Sequence, residues 1–258
     1  MQDKSESGDS LENYRASHAS TGYGEHYSRT YQVGYYAELW RHIERPLLER
    51  ILRELSERGA ASCLDFACGT GRITQVNERF FEHAVGIDVS EQMLAVAKKA
   101  CVRAELVQRD ITAEPLDRKF DVITAFRFFL NAEPKLRDQV LASLAKAMED
   151  SGTLIVNVHV NHSSPLGFAY RIRNAIRGKT VANTLSVQHL ESLLNDHGFA
   201  VKRIHWYGFY PRTGWMFNSL ANLLQLPVER VFAAVKILPR RWAQSFIVEA
   251  QRSRQTKA

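Results

Sequence analysis

Three aspartates and one run of small residues carry the most chemistry in this chain. Asp65 ends a short apolar run and is followed by a turn of small residues, Ala67, Cys68, Gly69, Thr70 and Gly71, that should open a helix from Gly71. Small residues there let a ligand approach the backbone, and the amides at a helix start can receive a carboxylate. The charge beside the turn decides which ligand. A dinucleotide brings a pyrophosphate to such a turn, and a carboxylate two residues before the first small residue would repel it. The third glycine of the dinucleotide pattern is also missing, because Thr74 stands in its place. S-adenosylmethionine brings an ammonium and a sulfonium, which Asp65 would attract.

Two further acids fall where the next strands should end. Asp88, in GIDVS, can accept from both hydroxyls of a ribose, and Asp110, in QRDI, can accept from an adenine amino group. Strands about 4.8 Å apart put the carboxyl ends of four neighbours within roughly 14 Å, the span of an extended adenosyl and methionine skeleton. One aspartate at a strand end is commonly a helix cap. Three behind one glycine turn are read as a cofactor site.

The elements that must position these residues follow from pattern. From Tyr31 to Glu57 apolar residues recur at helical spacing (Tyr35, Leu39, Ile43, Leu47, Ile51, Leu55), with Pro46 expected to kink the helix or split it in two. Strands and helices then alternate: the run ending at Leu64, a helix from Gly71, strand 84–87, helix 91–99, a strand near Leu106, strand 120–125, helix 135–148 and strand 153–158. Ser186 and Gly198 bracket a further helix, followed by strand 201–206, and 246–250 reads as a last strand. This order predicts an α/β fold, a Rossmann-like three-layer sandwich with a mostly parallel seven-stranded sheet and helices on both faces. Residues 1–23 are polar and read as a mobile tail before a single domain, 24–258. Residues 161–184 and 208–241 break the repeat and read as substrate-cap insertions over the ligand end of the sheet.

The motifs resemble those of the class I S-adenosylmethionine-dependent methyltransferases that act on small molecules. DFACGTG is similar to the family's first motif, with Ala67 in place of the usual first glycine; GIDVSEQMLAVAKK is similar to the next segment, and QRDI to the adenine-contacting one. The resemblance implies that Asp88 holds the ribose, that Val89 and Met93 pack near the adenine, and that Asp110 and Ile111 contact it. FDVITAFRFFLN resembles the fourth-strand motif, which puts Phe126 beside the methionine part. Arg127 departs from the pattern; it could meet the cofactor carboxylate, an acidic substrate, or solvent. YGEHYSRTY resembles the family's N-terminal element, whose tyrosines, here Tyr27 and Tyr31, close over the cofactor.

Methyl transfer from a sulfonium is an in-line displacement that requires no metal, so alignment and exclusion of water can do most of the work. For a hydroxyl acceptor, His159 and His162, just past the fifth strand, are the candidate general bases. Arg171 and Arg173, in a run that also holds Arg177 and Lys179, could bind a carboxylate or phosphate on the acceptor, or simply form one solvated helix face. The apolar stretch 215–242 could serve as a lid, an oligomer contact or a membrane-surface contact with lipid or a lipid-linked sugar. Nucleic acid, tRNA included, is disfavoured as acceptor: the fourth strand lacks the Asn- or Asp-Pro-Pro-aromatic tetrad of base methylation, and the net charge of +6 is spread along the chain. The alternative from another class is a protein that binds the cofactor without catalysis. Three cysteines with no paired spacing, and no apolar leader or spanning run, suggest a cytoplasmic protein. The acceptor atom, oxygen, nitrogen or carbon, and the oligomeric state are left open.

Overall fold

The computed structural model of the protein describes residues 34–176, 184–209, 223–224, 226–231 and 239–253. Tyr27, Tyr31, the 1–23 tail, Arg177, Lys179 and most of the 208–241 insertion lie outside these residues.

Each central strand sends alternate residues to two different cores. Leu64, Ile123, Leu154, Val156 and Val248 face one, and Cys63, Val122, Ile155 and Ile247 face the other. A sheet buried on both faces needs helices on both, and its strands read as nearly unbroken apolar runs. The strands are β1 (Ser62–Phe66), β2 (His83–Asp88), β3 (Glu105–Gln108), β4 (Phe120–Phe126), β5 (Met148–Val158), β6 (Phe199–Tyr207) and β7 (Ser245–Arg252). They form one sheet in the order β3-β2-β1-β4-β5-β7-β6. Pairing is parallel from β3 to β5, and β7 runs antiparallel between β5 and β6. The mostly parallel seven-stranded sheet expected from the sequence is therefore present, with one antiparallel insertion. The carboxyl ends of β1 to β6 share one edge, where such folds bind ligands.

The helix that precedes β1 differs from its sequence pattern in an instructive way. Pro46 neither breaks nor splits it. α1 (Tyr35–Leu39) passes through a π turn (Trp40–Glu44) into α2 (Arg45–Glu57), with Arg45 N–H donating to the carbonyl of Trp40, five residues back. A wider turn just before a proline accommodates its missing N–H. The extra residue also shifts the buried stripe locally, between Leu39 and Ile51, where Glu44 and Leu48 are buried. After Leu39 the buried residues are Glu44, Leu48, Ile51, Leu52 and Leu55, so Ile43 and Leu47, expected in the core, are only half-buried.

The remaining helices are α3 (Thr74–Asn77), α4 (Glu91–Ala100), α5 (Pro134–Lys146), α6 (Pro165–Ile176) and α7 (Val187–Asp196). α5 and α7 cover one face; α1, α2 and the α3 region cover the other. Ser90 and Ser186 cap α4 and α7 by accepting from the amides of Met93 and His189, and Gly198 ends α7 in the left-handed conformation at φ 77°. The helix expected from Gly71 is a single turn. β5 starts five residues earlier than its apolar run, through a register shift opposite Phe120 and Val122. Of the insertions, 161–184 contains α6, and residues 226–231 of the other are helical. Among the described residues no helix is long and apolar enough to cross a membrane.

Candidate active site

The turn after β1 runs through three left-handed residues: Ala67 at φ 53°, Gly69 at 56° and Gly71 at 79°. The two glycines serve different ends. A Cβ on Gly71 would lie 2.8 Å from Cys101 Sγ and 2.9 Å from Ala97 Cβ, so this glycine lets the turn pack on α4. A Cβ on Gly69 would meet nothing within 4 Å, which leaves that stretch of backbone open to a ligand. Ala67 adopts a conformation that a side chain disfavours by about 1–2 kcal/mol, where the resembling family has glycine.

Asp88 ties this turn to the end of β2. Its Oδ2 accepts from Gly69 N–H at 2.8 Å and its Oδ1 from Ser90 N–H at 2.9 Å. Beside it lies a narrow cleft lined by Ala67, Asp88, Val89, Asp110 and Ile111 together with Phe66, Arg109, Phe128, Leu136 and Val140. Its floor is aromatic and aliphatic, with the Phe66 and Phe128 rings edge-to-face at 4.8 Å. Its rim carries two carboxylates. Asp110 is held by an Asx turn, its Oδ1 accepting from Thr112 N–H at 3.0 Å and Thr112 Oγ1 at 2.7 Å. A flat apolar slot with acids at its mouth and bare backbone beside it suits an adenosyl group. Among the described residues no group of three His, Cys, Asp or Glu side chains is placed to hold a metal.

The structure thus brings together five of the residues that the sequence singles out: Ala67, Asp88, Val89, Asp110 and Ile111. The others lie elsewhere. Cys68 and Met93 are buried behind the turn, and Phe126 packs in the core beneath α1 and α2. Five further residues of the cleft, Phe66, Arg109, Phe128, Leu136 and Val140, escaped the sequence reading. Phe66 and Phe128 stand inside quoted motifs, and their signal was simply aromatic character next to the turn and the β4 end. His159 follows β5 and is half-buried; His162 Nδ1 is 3.0 Å from Thr184 Oγ1. Burial, then the charges of Arg171 and His189, lower the His162 pKa. Neither histidine lines the cleft. Arg171 and Arg173 are exposed on α6, against the rings of Phe168 and Tyr170.

Asp65 lies below the turn, 1% exposed. Its carboxylate accepts from Thr74 Oγ1 at 2.5 Å and from Thr124 Oγ1 at 2.8 Å. Burial pushes its pKa up to about 6 against the pull of those two hydroxyls and of Arg72. The folded chain therefore holds this proton more tightly than the unfolded chain. The charge costs nothing below the unfolded pKa, near 4, and weighs against the fold increasingly until pH passes about 6. Asp65→Asn should leave stability near pH 4 unchanged and raise it by about 1–3 kcal/mol at pH 7. Urea unfolding at the two pH values checks this, and an equal effect at both would contradict the assignment.

A second buried charge sits where β4, β5 and β6 end. Glu44, from the π turn, is 1% exposed and lies 3.5 Å from Arg72 Nη1 and 3.6 Å from Arg127 Nη2. It accepts from Tyr207 Oη at 2.8 Å and from Asn157 Nδ2 at 3.2 Å. Burial raises its pKa, but Arg127, Arg72 and the Tyr207 hydroxyl outweigh that and hold it below the usual glutamate value. Arg72 lies over the Trp40 ring at 4.2 Å, and Arg127 near Tyr36 at 5.6 Å. Arg127 reaches Glu44 from a left-handed backbone at φ 62°, its carbonyl held by Asn131 Nδ2 at 2.7 Å. Of the three environments open to Arg127 from sequence, solvent is excluded by its 11% side-chain exposure. It meets instead a carboxylate of the chain itself, that of Glu44.

In sequence and in fold the chain is similar to known methyltransferases. Residues 63–152 match a family model described as a methyltransferase domain. A ubiquinone biosynthesis O-methyltransferase from Methylococcus capsulatus is 25% identical over 186 residues, covering 67% of this chain and 77% of that protein. A dTDP-3-amino-3,4,6-trideoxy-alpha-D-glucopyranose N,N-dimethyltransferase from Streptomyces venezuelae is 36% identical over 100 residues, 38% of this chain and 42% of that one. Among solved structures, magnesium protoporphyrin IX methyltransferase from Synechocystis PCC 6803 with bound SAH superposes with a TM-score of 0.63 at 18% identity, covering 93% of this chain and 97% of that one.

Proposed function

We propose that this chain, which is a class I S-adenosylmethionine-dependent methyltransferase, acts on a small-molecule acceptor that is anionic or linked to a lipid or sugar. The observation that carries the reading is the apolar cleft beside the glycine turn with Asp88 and Asp110 on its rim. In it Asp88 accepts from the ribose hydroxyls, Asp110 from the adenine amino group, and Val89 and Ile111 flank the base, while the bare backbone at Gly69 receives the amino-acid part. Asp65, Cys68, Gly71, Met93 and Phe126 set the turn and the β4 end from behind.

When bound, S-adenosylmethionine supplies an electrophilic methyl group. The protein's share is to fix the donor, align the acceptor and exclude water. His159 or His162 takes the proton of a hydroxyl acceptor, consistent with an imidazole whose lowered pKa keeps His162 neutral at pH 7. The names of the two relatives describe an O-methyltransferase and an N,N-dimethyltransferase, so they share no single acceptor atom. The exposed arginines of α6 and the net charge of +6 favour an acceptor with acidic groups. A cytoplasmic location fits such an enzyme.

Calorimetric titration of the full chain with S-adenosylmethionine and with its demethylated product tests the reading. Saturable one-to-one binding of both is expected. Binding of neither would overturn it.

A further inference from the structure

On the α1–α2 face of the sheet a groove of about 600 Å³, open to solvent, runs along β6 up to its carboxyl end. Its apolar wall on this face comes from Ile43 and Leu47 of the helix, with Leu226 from the helical residues 226–231, while β6 presents His205 and Tyr207; Ile204 and Trp206, which pack on the core of the opposite face, border the groove only along the strand. Ile43 and Leu47, half-buried beside the π turn, pack against the core and show their remaining surface to the groove. π turns inside α-helices are frequent at functional sites, and this one builds the groove wall.

The charged residues of the groove are mostly of one sign. Arg50, Arg230 and Arg240 line it and are exposed, with His42 at one end. Among the described residues no acidic group makes an ion pair with Arg230 or Arg240. The acid in the groove is committed: Glu229, 7% exposed, accepts from Gly208 N–H at 3.1 Å. His205 is held by Glu249 at 2.6 Å. At its upper end the groove reaches Tyr207, which also hydrogen-bonds Glu44 within the Arg72–Arg127 cluster at the β4 end. The groove thus adjoins the donor edge of the sheet from the side opposite the adenosyl cleft.

We propose that this groove is the acceptor-side binding site and that its ligand is an amphipathic organic anion, an apolar body carrying a carboxylate or phosphate group. The inference rests on the methyltransferase reading and adds the substrate class to it. The apolar residues Ile43, Leu47 and Leu226 take the body, and Arg230 and Arg240 take the charged group, for which the planar, bidentate guanidinium is well suited.

The test is calorimetric titration of the full chain, with S-adenosylmethionine bound, using decanoate, decyl phosphate and decanol as probes. Both anions are expected to bind, decanol at least about tenfold more weakly. The double variant Arg230→Ala, Arg240→Ala is expected to lose about tenfold in affinity for the anions and little for decanol, with an unchanged urea midpoint as the check on folding. Equal binding of decanol and decanoate, or anion binding indifferent to the double variant, would overturn the proposal. Cosedimentation with vesicles of phosphatidylcholine and phosphatidylglycerol, without binding of the monomeric probes, would overturn it in favour of a membrane surface. Failure of the probes while S-adenosylmethionine still binds would sink this inference and leave the methyltransferase reading intact; failure of S-adenosylmethionine itself would sink that reading.

Discussion

Glu44→Ala is expected to destabilise the fold by about 3–5 kcal/mol, the magnitude seen when one member of a buried ion pair is removed and the other is left uncompensated. Here two guanidiniums would be left, Arg72 and Arg127, whose side chains are 15% and 11% exposed. Tyr207 Oη would lose its acceptor, and Asn157 one of its two hydrogen-bond partners. The effect should depend on pH with a definite sign. Glu44 is held below its ordinary pKa, so its contribution is complete above the unfolded value near 4.5 and is lost as pH falls through the folded one. This is the reverse of Asp65, whose charge weighs on the fold as pH rises. Urea unfolding of wild type and variant should therefore differ most near pH 7 and converge in acid. A variant within about 1 kcal/mol of wild type at pH 7 would mean that the cluster is hydrated and behaves like a surface pair.

How much of this was legible beforehand depends on how far apart the interacting residues are in the chain. The alternation of strands and helices, the turn after β1 and the acids at the ends of β2 and β3 are local patterns, and each was read directly. The antiparallel direction of β7 was not, because an apolar run such as FIVEA records burial on both faces but carries no polarity. Its direction depends on how the long connection from β6 returns. Of the helical stripe expected before β1, Tyr35, Leu39, Ile51 and Leu55 are buried and only Ile43 and Leu47, beside the π turn, are not, because periodicity assumes a constant turn and the π turn before Pro46 breaks that assumption. Arg127 stood out as a charge at the end of an apolar strand. Its partner Glu44 is remote in sequence and looked like one more polar residue on an amphipathic helix. Phe66 and Phe128 show the same limit within the cleft: both are plainly apolar in sequence, and only the end of β1 and the turn after β4 bring them beside Asp88 and Asp110.

Asp88→Ala is expected to lower the affinity for S-adenosylmethionine by two to four orders of magnitude, because two hydrogen bonds to an ionised carboxylate contribute about 1.5–3 kcal/mol each. An ionised carboxylate has about four acceptor directions, more than the Gly69 and Ser90 amides use, so it can hold the turn and receive ribose hydroxyls together. That double role makes a control necessary, since loss of affinity could come from a loosened turn alone. Asp88→Asn keeps a carbonyl oxygen for the Gly69 amide but surrenders half of the acceptor capacity and the charge. If the ribose contact dominates, Asn should recover the urea midpoint of the wild type while still binding at least about tenfold more weakly. If the turn dominates, Asn should restore affinity and midpoint in step, and Asp88 would then be a residue that positions Gly69 without touching the cofactor.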